Sequence, residues 1–418
     1  MNLTKNSFSK IFQSFSKESL LGSFLFFLVL SSWYILRPVR NEMAVTNVNE
    51  LPYLLAAGAI LMLLINPLYS WIASKLDLKK IVLFCYSFLI LNLIFFLLSW
   101  RVFDFGNSIW LGRVFYVWSN IYSFFVVSIF WVVIINLYRN LRTRSFYGFI
   151  MAGGSLGALF GSEVSKRFSN SFSNFGLEFF SLSSAILLFL AMLLAILMIS
   201  KSKKSNNLNL DNVGGGSFDG IKNSLKRNEI RNIAIYVWLW TGLMTIQWIT
   251  AINIVEDWSE DPAQRLRFFA TIEQVISPLT LIVQLFFTNI IIQKFGIRKI
   301  MFTYGLLFCL AYLAYGLVPS IISVGIVTVF LRIFEYGVNK PTRETIFSSF
   351  EKNDRYKSTV FIDTFISRFG DLTGSGFIAI SKFTALAANT FPLIALPIAG
   401  YLSFIGIKIS KGIKVKDL

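Results

Sequence analysis

Two stretches near the C-terminal end decide how the chain folds: FLRIFEYGVNKPTRETIF, residues 330–347, and YKSTVFIDTFISRFGDLTGSG, residues 356–376. Both look like membrane helices interrupted by charge. Arg332, Glu335, Asp363, Arg368 and Asp371 fall at or near membrane depth. A central Arg, Lys or Asp costs about 2.5–3.5 kcal/mol to insert facing lipid, so these side chains must face protein or water. Arg332 with Glu335 and Arg368 with Asp371 are each one helical turn apart and can neutralise each other, which implies a polar pathway lined by two helices.

The rest of the chain fits that environment. Of its 418 residues, 55% are hydrophobic, 17% aromatic and 15% charged, and the mean hydropathy of +0.64 is that of a polytopic membrane protein. The formal net charge of +17 sits in short clusters between apolar runs, as cytoplasmic loop charge does, and argues against a nucleic-acid partner. The two cysteines, Cys85 and Cys309, lie inside apolar segments and offer neither a disulfide framework nor a thiolate metal site. With no histidine, His-based metal sites and proton relays are excluded; no metal or cofactor is expected, and no nucleophile motif suggests an enzyme. The stretch before Ser19 is polar and carries Lys5, Lys10 and Lys17, and the apolar run after it lacks a small-residue cleavage site, so it reads as a retained first helix.

Apolar runs of about twenty residues predict twelve spans, near 20–36, 51–73, 81–100, 114–137, 146–163, 178–199, 232–254, 268–292, 299–318, 320–338, 357–381 and 388–407. The bulk of the Lys and Arg then falls on one side, in Lys75, Lys79 and Lys80, in Arg139, Arg142 and Arg144, in the 201–231 loop, in Lys294, Arg298 and Lys299, in the 340–357 loop and in the tail from Lys408. Both termini are therefore expected in the cytoplasm, across a bacterial inner membrane. The hydrophilic segment 201–231 reads as a tether between an N-terminal half, 1–200, and a C-terminal half, 232–418; its GGGSFDGIKN lacks the Lys-Ser/Thr of a phosphate-binding loop. SWIASKLDLKKI (Ser70 to Ile81) and NIIIQKFGIRKI (Asn289 to Ile300) repeat a basic residue, a turn residue (Asp77, Gly296) and a basic pair. This resembles, in degraded form, the loop motif of the major facilitator superfamily. Parallel six-helix halves of that kind imply a central cavity with access from alternate sides.

Several polar positions are candidates for chemistry. Arg37 and Arg40, one turn apart beside Pro38, suit bidentate recognition of phosphate or carboxylate, and equally suit interfacial anchors beside Glu42 and Glu50. Gly153, Gly157 and Gly161 form a stripe for close helix contact. Ser119, Asn120, Tyr122 and Ser123, with Arg113 near the helix end, read as hydrogen-bonding between helices more than as cavity lining. The loop EDWSEDPAQRLR reads as a solvated connection rather than a gate. Glu273, inside a span and before Pro278, should pair with an Arg or hold a proton, as a coupling residue would.

ILRPVRNEM, FYGFIMAGGSLGALFGS, NKPTRETIF and YKSTVFIDTFISRFGDLTG, in that order, resemble the nucleotide-exchange (ATP/ADP translocase) family of plastids and intracellular bacteria, and look closer still to its free-living bacterial branch. The resemblance spans nearly the whole chain and is most specific at Pro341, Arg343 and Glu344, followed by Lys357 and the pair Ile362-Asp363. It implies nucleotide-handling roles for Arg40 and Lys357. The sequence departs from the family at Asn41, where an acid usually stands, and at Ser119 or Asn120, where a Glu does. The resulting expectation is an all-α, twelve-helix protein of the facilitator type that moves a small anionic, phosphorylated solute by exchange, acting as a monomer in the bilayer. Arg37, Arg40, Asn120, Arg332, Lys340, Arg343, Lys357 and Arg368 would contact solute, and Glu273, Glu335, Glu344, Asp363 and Asp371 would hold the cations when the site is empty. For Arg343 and Glu344, at a helix-loop boundary, a salt bridge locking the cytoplasmic face is an equal alternative. Proton coupling through Glu273 or Asp363 is the rival mechanism, and a scaffold or sensor without transport the rival class.

Overall fold

The computed structural model describes residues 17–101, 108–138, 144–203, 228–348, 358–359, 361–381 and 390–411. Lys357, much of the expected 201–231 tether and the ends of both tails lie outside the described residues. Among these residues the structure is helical, without strands. The helices are α1 (Lys17–Val45), α2 (Leu51–Lys75), α3 (Leu78–Arg101), α4 (Ile109–Leu137), α5 (Arg144–Arg167), the short α6 (Ser169–Phe175) and α7 (Glu178–Lys203). Beyond the tether follow α8 (Asn228–Trp258), α9 (Pro262–Ile282), α10 (Thr288–Leu317), α11 (Ile321–Phe334), α12 (Lys340–Ser348), α13 (Ser367–Ser381), α14 (Phe391–Ile394) and α15 (Leu396–Lys411). Helix covers part of every expected span, and among the described residues seven helical segments are long and apolar enough to cross a bilayer. The longest of these, Pro262–Leu317, turns at Gly296, whose φ of 72° and ψ of 160° only glycine adopts without strain. That turn and the one at Asp77 fall where the repeated motif placed them.

The chain divides into two compact units. Unit 1 comprises Met1–Met43, Tyr69–Asn212 and Asp261–Leu281; unit 2 comprises Ala44–Leu68, Val213–Glu260 and Ile282–Leu418.

In unit 1 the glycine stripe settles the packing of α5 on α1. A side chain at Gly153, Gly157 or Gly161 would collide with the backbone of Ser23, Phe27 or Ser31 in turn, so the two helices run in the same direction with their backbones touching. Ser165 donates to Ile35 O at 2.7 Å at the end of the stripe. On another face of α1, Ser32, Tyr122 of α4 and Ser184 of α7 join hydroxyls, with Ser32–Ser184 at 2.9 Å and Tyr122–Ser184 at 3.1 Å. Polar groups buried in hydrocarbon must find partners, and here three helices supply them.

In unit 2, Gly370 and Gly374 of α13 lie against Thr241, Gly242 and Thr245 of α8, and Trp238 Nε1 donates to Thr373 Oγ1 at 3.0 Å. Gly305 and Gly406 bring α10 and α15 together in the same way. Ser320 and Ser323 form a reciprocal capping box at the start of α11. The unit also contains three π turns, Val283–Phe287, Glu335–Asn339 and Ile362–Ile366, each inside a longer helical run. A π turn takes in one extra residue and loosens the backbone hydrogen bonding, and such turns concentrate at functional sites.

Candidate functional site

The charged residues gather within each unit. In unit 1, α1 meets α9. Arg37 Nε lies 3.1 Å from Glu273 Oε1, with the carboxylate only 2% exposed. Arg37 also donates to Tyr34 Oη at 3.1 Å and sits over its ring. Of the two alternatives open for Glu273, an Arg partner or a held proton, the structure provides the first, from Arg37 of the first span. Arg40 is not joined to Arg37 in a clamp. Its guanidinium stacks 5.0 Å from the centroid of Tyr116, with Nη2 3.4 Å from the phenol oxygen and Nε buried without a hydrogen-bond partner among the described residues. Arg37 is committed to a carboxylate and Arg40 to an aromatic face, so the shared two-guanidinium site is corrected to two separate arginines.

Near Arg40 on the same helix, Glu42 is wholly buried and held by Arg265 of α9, whose Nε donates to both carboxylate oxygens at 3.1 and 2.9 Å and whose Nη2 donates to Oε1. This corrects two expectations. Glu42 is not an interfacial neighbour, and EDWSEDPAQRLR is not wholly a solvated connection. Burying both charges is tolerable because the fork of the guanidinium meets both oxygens of the carboxylate. Further along α9, Gln274 accepts from Lys166 at 3.2 Å and donates to Glu163, which also holds Arg167. Arg267 donates to Asn170 Oδ1 at 3.0 Å.

Asn120 donates to Tyr116 O at 3.2 Å, Ser119 to Tyr116 O and Ser123 to Asn120 O, all within α4. Tyr122 bonds to other helices, as was expected of all four polar residues, whereas the described bonds of Ser119, Asn120 and Ser123 stay within α4.

In unit 2 the decisive stretches come together around two of the π turns. Arg332 is 8% and Glu335 3% exposed, so both face protein. Glu335 accepts from Asn339 Nδ2 at 2.7 Å, and Asn339 Oδ1 accepts from Tyr236 Oη at 2.9 Å. Arg332 lies 6.0 Å from the ring centroid of Tyr336. Arg343 Nη2 lies 3.0 Å from Asp363 Oδ1, and Arg343 with Lys340 provides the positive potential that Glu335 experiences. Arg368 and Asp371 form the pair their spacing suggested, at 2.7 Å, and Thr245 donates to Asp371 at 3.1 Å. Lys340 is exposed and Glu344 half-buried.

Asn339, four residues after Glu335, could have been found from helical spacing; Tyr236, Tyr116 and Arg265 could not. Glu42 and Arg265 are 223 residues apart, and nothing local marks them as partners.

Solved structures of membrane transporters share this all-α fold over almost the whole chain. The nucleoside transporter NupG matches with a TM-score of 0.66 and 14% identity, over 96% of this chain and 100% of its own. An auto-inhibited POT family peptide transporter matches with a TM-score of 0.68 and 10% identity, over 96% and 98%. The human organic anion transporter MFSD10 matches with a TM-score of 0.56 and 14% identity, over 94% and 99%. No family model matches the sequence, and comparison with curated proteins finds no match.

Proposed function

We propose that the protein is a secondary transporter, moving a small anionic, phosphorylated solute across a bacterial inner membrane by alternating access, as an exchanger. The supporting observation is that three of the arginines on the expected path have an internal carboxylate within reach: Arg37 with Glu273 at 3.1 Å, Arg343 with Asp363 at 3.0 Å and Arg368 with Asp371 at 2.7 Å. A solute anion can take over such a guanidinium while the freed carboxylate turns to water or to another cation. Exchange follows, because reorientation is permitted whenever the arginines are neutralised, by solute or by carboxylate. The resemblance to the nucleotide-exchange family points to a nucleotide-like solute, and the nucleoside and organic anion transporters of the same fold are compatible with one. In this reading the halves 1–200 and 232–418 are parallel six-helix bundles tethered by 201–231, the termini are cytoplasmic and the working unit is a monomer.

Liposomes loaded with unlabelled nucleotide or sugar phosphate test it. Wild-type protein should take up labelled solute only when the lumen holds a counter-solute, and Arg40→Ala should abolish uptake at equal protein level. Uptake that is unaffected by Arg40→Ala makes that residue an anchor; uptake that needs no counter-solute rules out exchange. A second reading, proton coupling, is favoured by the depth of Glu273, 2% exposed on α9. It predicts that Glu273→Gln loses the response to an imposed pH gradient.

A further inference from the structure

Arg343 stands between two irregular segments. Its helix, α12, continues directly from the π turn Glu335–Asn339, and its carboxylate partner Asp363 belongs to the π turn Ile362–Ile366. The turn Glu335–Asn339 is bonded in turn to the one at Val283–Phe287. Gln284 Nε2 donates to Tyr336 O at 2.9 Å and Thr288 Oγ1 to Gly337 O at 2.5 Å, while a side chain at Gly337 would press on Val283. The three turns are thus linked by side chains, and Arg343–Asp363 is one of the links.

That link is incomplete on the arginine side. The guanidinium is 3% exposed, yet Asp363 meets only Nη2, and both Nε and Nη1 are buried without a hydrogen-bond partner among the described residues. A guanidinium stays charged throughout the accessible pH range, so it cannot relieve this by releasing a proton. Only acceptors can satisfy it, and a charged acceptor does so best. Among the acids that interact with Arg343, Glu335 is 3% exposed and engaged by Asn339, which is fixed by Tyr236. Asp363 has no such second hold described and is 36% exposed, so it is the acid that can swing away and open a route to Arg343.

The geometry points to Arg343 as an oxyanion-binding residue, with Asp363 as a resident counter-ion that the phosphoryl or carboxylate end of a solute displaces. An incoming oxyanion takes the edge that Asp363 leaves and supplies further oxygens to the unmet N–H groups. Its arrival breaks the link between the π turns at 335–339 and 362–366, which couples occupancy to the shape of the helices on either side. This inference rests on the transport reading for its purpose, but its test does not require transport.

The test is thermal unfolding of the purified full chain in detergent, titrated with sodium phosphate and, separately, sodium acetate, against sodium chloride at matched ionic strength. Wild-type protein should gain melting temperature with an oxyanion beyond the chloride control; a larger phosphate response identifies a phosphoryl end, a larger acetate response a carboxylate end. Arg343→Gln should lose the gain, and Arg343→Lys should keep part of it. Asp363→Asn should respond at roughly tenfold lower concentration, because the competing charge-assisted hydrogen bond is gone. If wild-type protein shows no gain over chloride, if Arg343→Gln retains the gain, or if Asp363→Asn loses it as Arg343→Gln does, the pair is a structural clasp and the inference falls. Binding that depends on Arg343 in a protein that exchanges no phosphorylated solute overturns the transport reading alone. Exchange by a protein whose oxyanion response ignores Arg343 overturns this inference alone.

Discussion

Unit 1 and unit 2 handle polar groups inside apolar helices in different ways. Unit 1 closes many of them: the glycine stripe sets α5 against the backbone of α1, three hydroxyls complete one another between α1, α4 and α7, and Glu42 is wholly buried with Arg265 on both its oxygens, although Arg40 Nε is left without a hydrogen-bond partner among the described residues. Unit 2 leaves slack. Its three π turns interrupt helices that carry charge, its Asp363 and Arg368 are each 36% exposed, and Arg343 has nitrogens that its one carboxylate does not meet. A fully buried, bidentate pair is expensive to break, because the charge left behind has no water to turn to. Where one partner of a pair is partly exposed, that partner can turn to solvent and be replaced at lower cost. Burial alone therefore does not mark a working residue; Glu42 is more deeply buried than Asp363 and less able to change partner.

Breaking unit 1 should hurt folding most. Arg265→Ala leaves Glu42 as an unpaired buried acid and is expected to destabilise by about 3–5 kcal/mol, read as loss of monodisperse protein or a steep fall in melting temperature. A mild effect would mean that Glu42 reaches water and that the two units differ less than their burial suggests. Gly157→Val, which forces a side chain onto the backbone of Phe27, should cost about 1–3 kcal/mol by the same assay, whereas unchanged stability would show that α1 and α5 can separate. The smallest effect on stability belongs to unit 2. Thr288→Val removes a hydrogen bond to Gly337 O and should cost about 1 kcal/mol, yet lower the solute uptake proposed above by more than the loss of folded protein accounts for. Equal losses of uptake and of folded protein would make the π turns mere packing.

Much of this could be read from the residues. The apolar runs, the repeated turn at Asp77 and Gly296, and the stripe at Gly153, Gly157 and Gly161 are local signals: a helix must be long enough to cross, a positive φ selects glycine, and a spacing of four puts small residues on one face. The pair Arg368–Asp371 was legible for the same reason, since one helical turn brings the two within reach. For Glu273 the sequence left an arginine partner or a held proton as alternatives, because whether and which arginine approaches is fixed by the packing of α1 on α9. The clamp of Arg37 with Arg40 failed on that point. Spacing put both on one helix, but each found a different neighbour, Glu273 and Tyr116.

The sequence by itself determined that this chain is a bundle of membrane helices with charges that must be sheltered, because the free energy of placing an ion in hydrocarbon follows from composition and length alone. Tertiary structure decided which charges meet. It joined Glu42 to Arg265 across 223 residues, wound the helices bearing Glu335 and Asp363 into π turns, and left Arg343 with N–H groups that no acceptor among the described residues meets. Those outcomes depend on distances between helices remote in the chain, which no local pattern encodes.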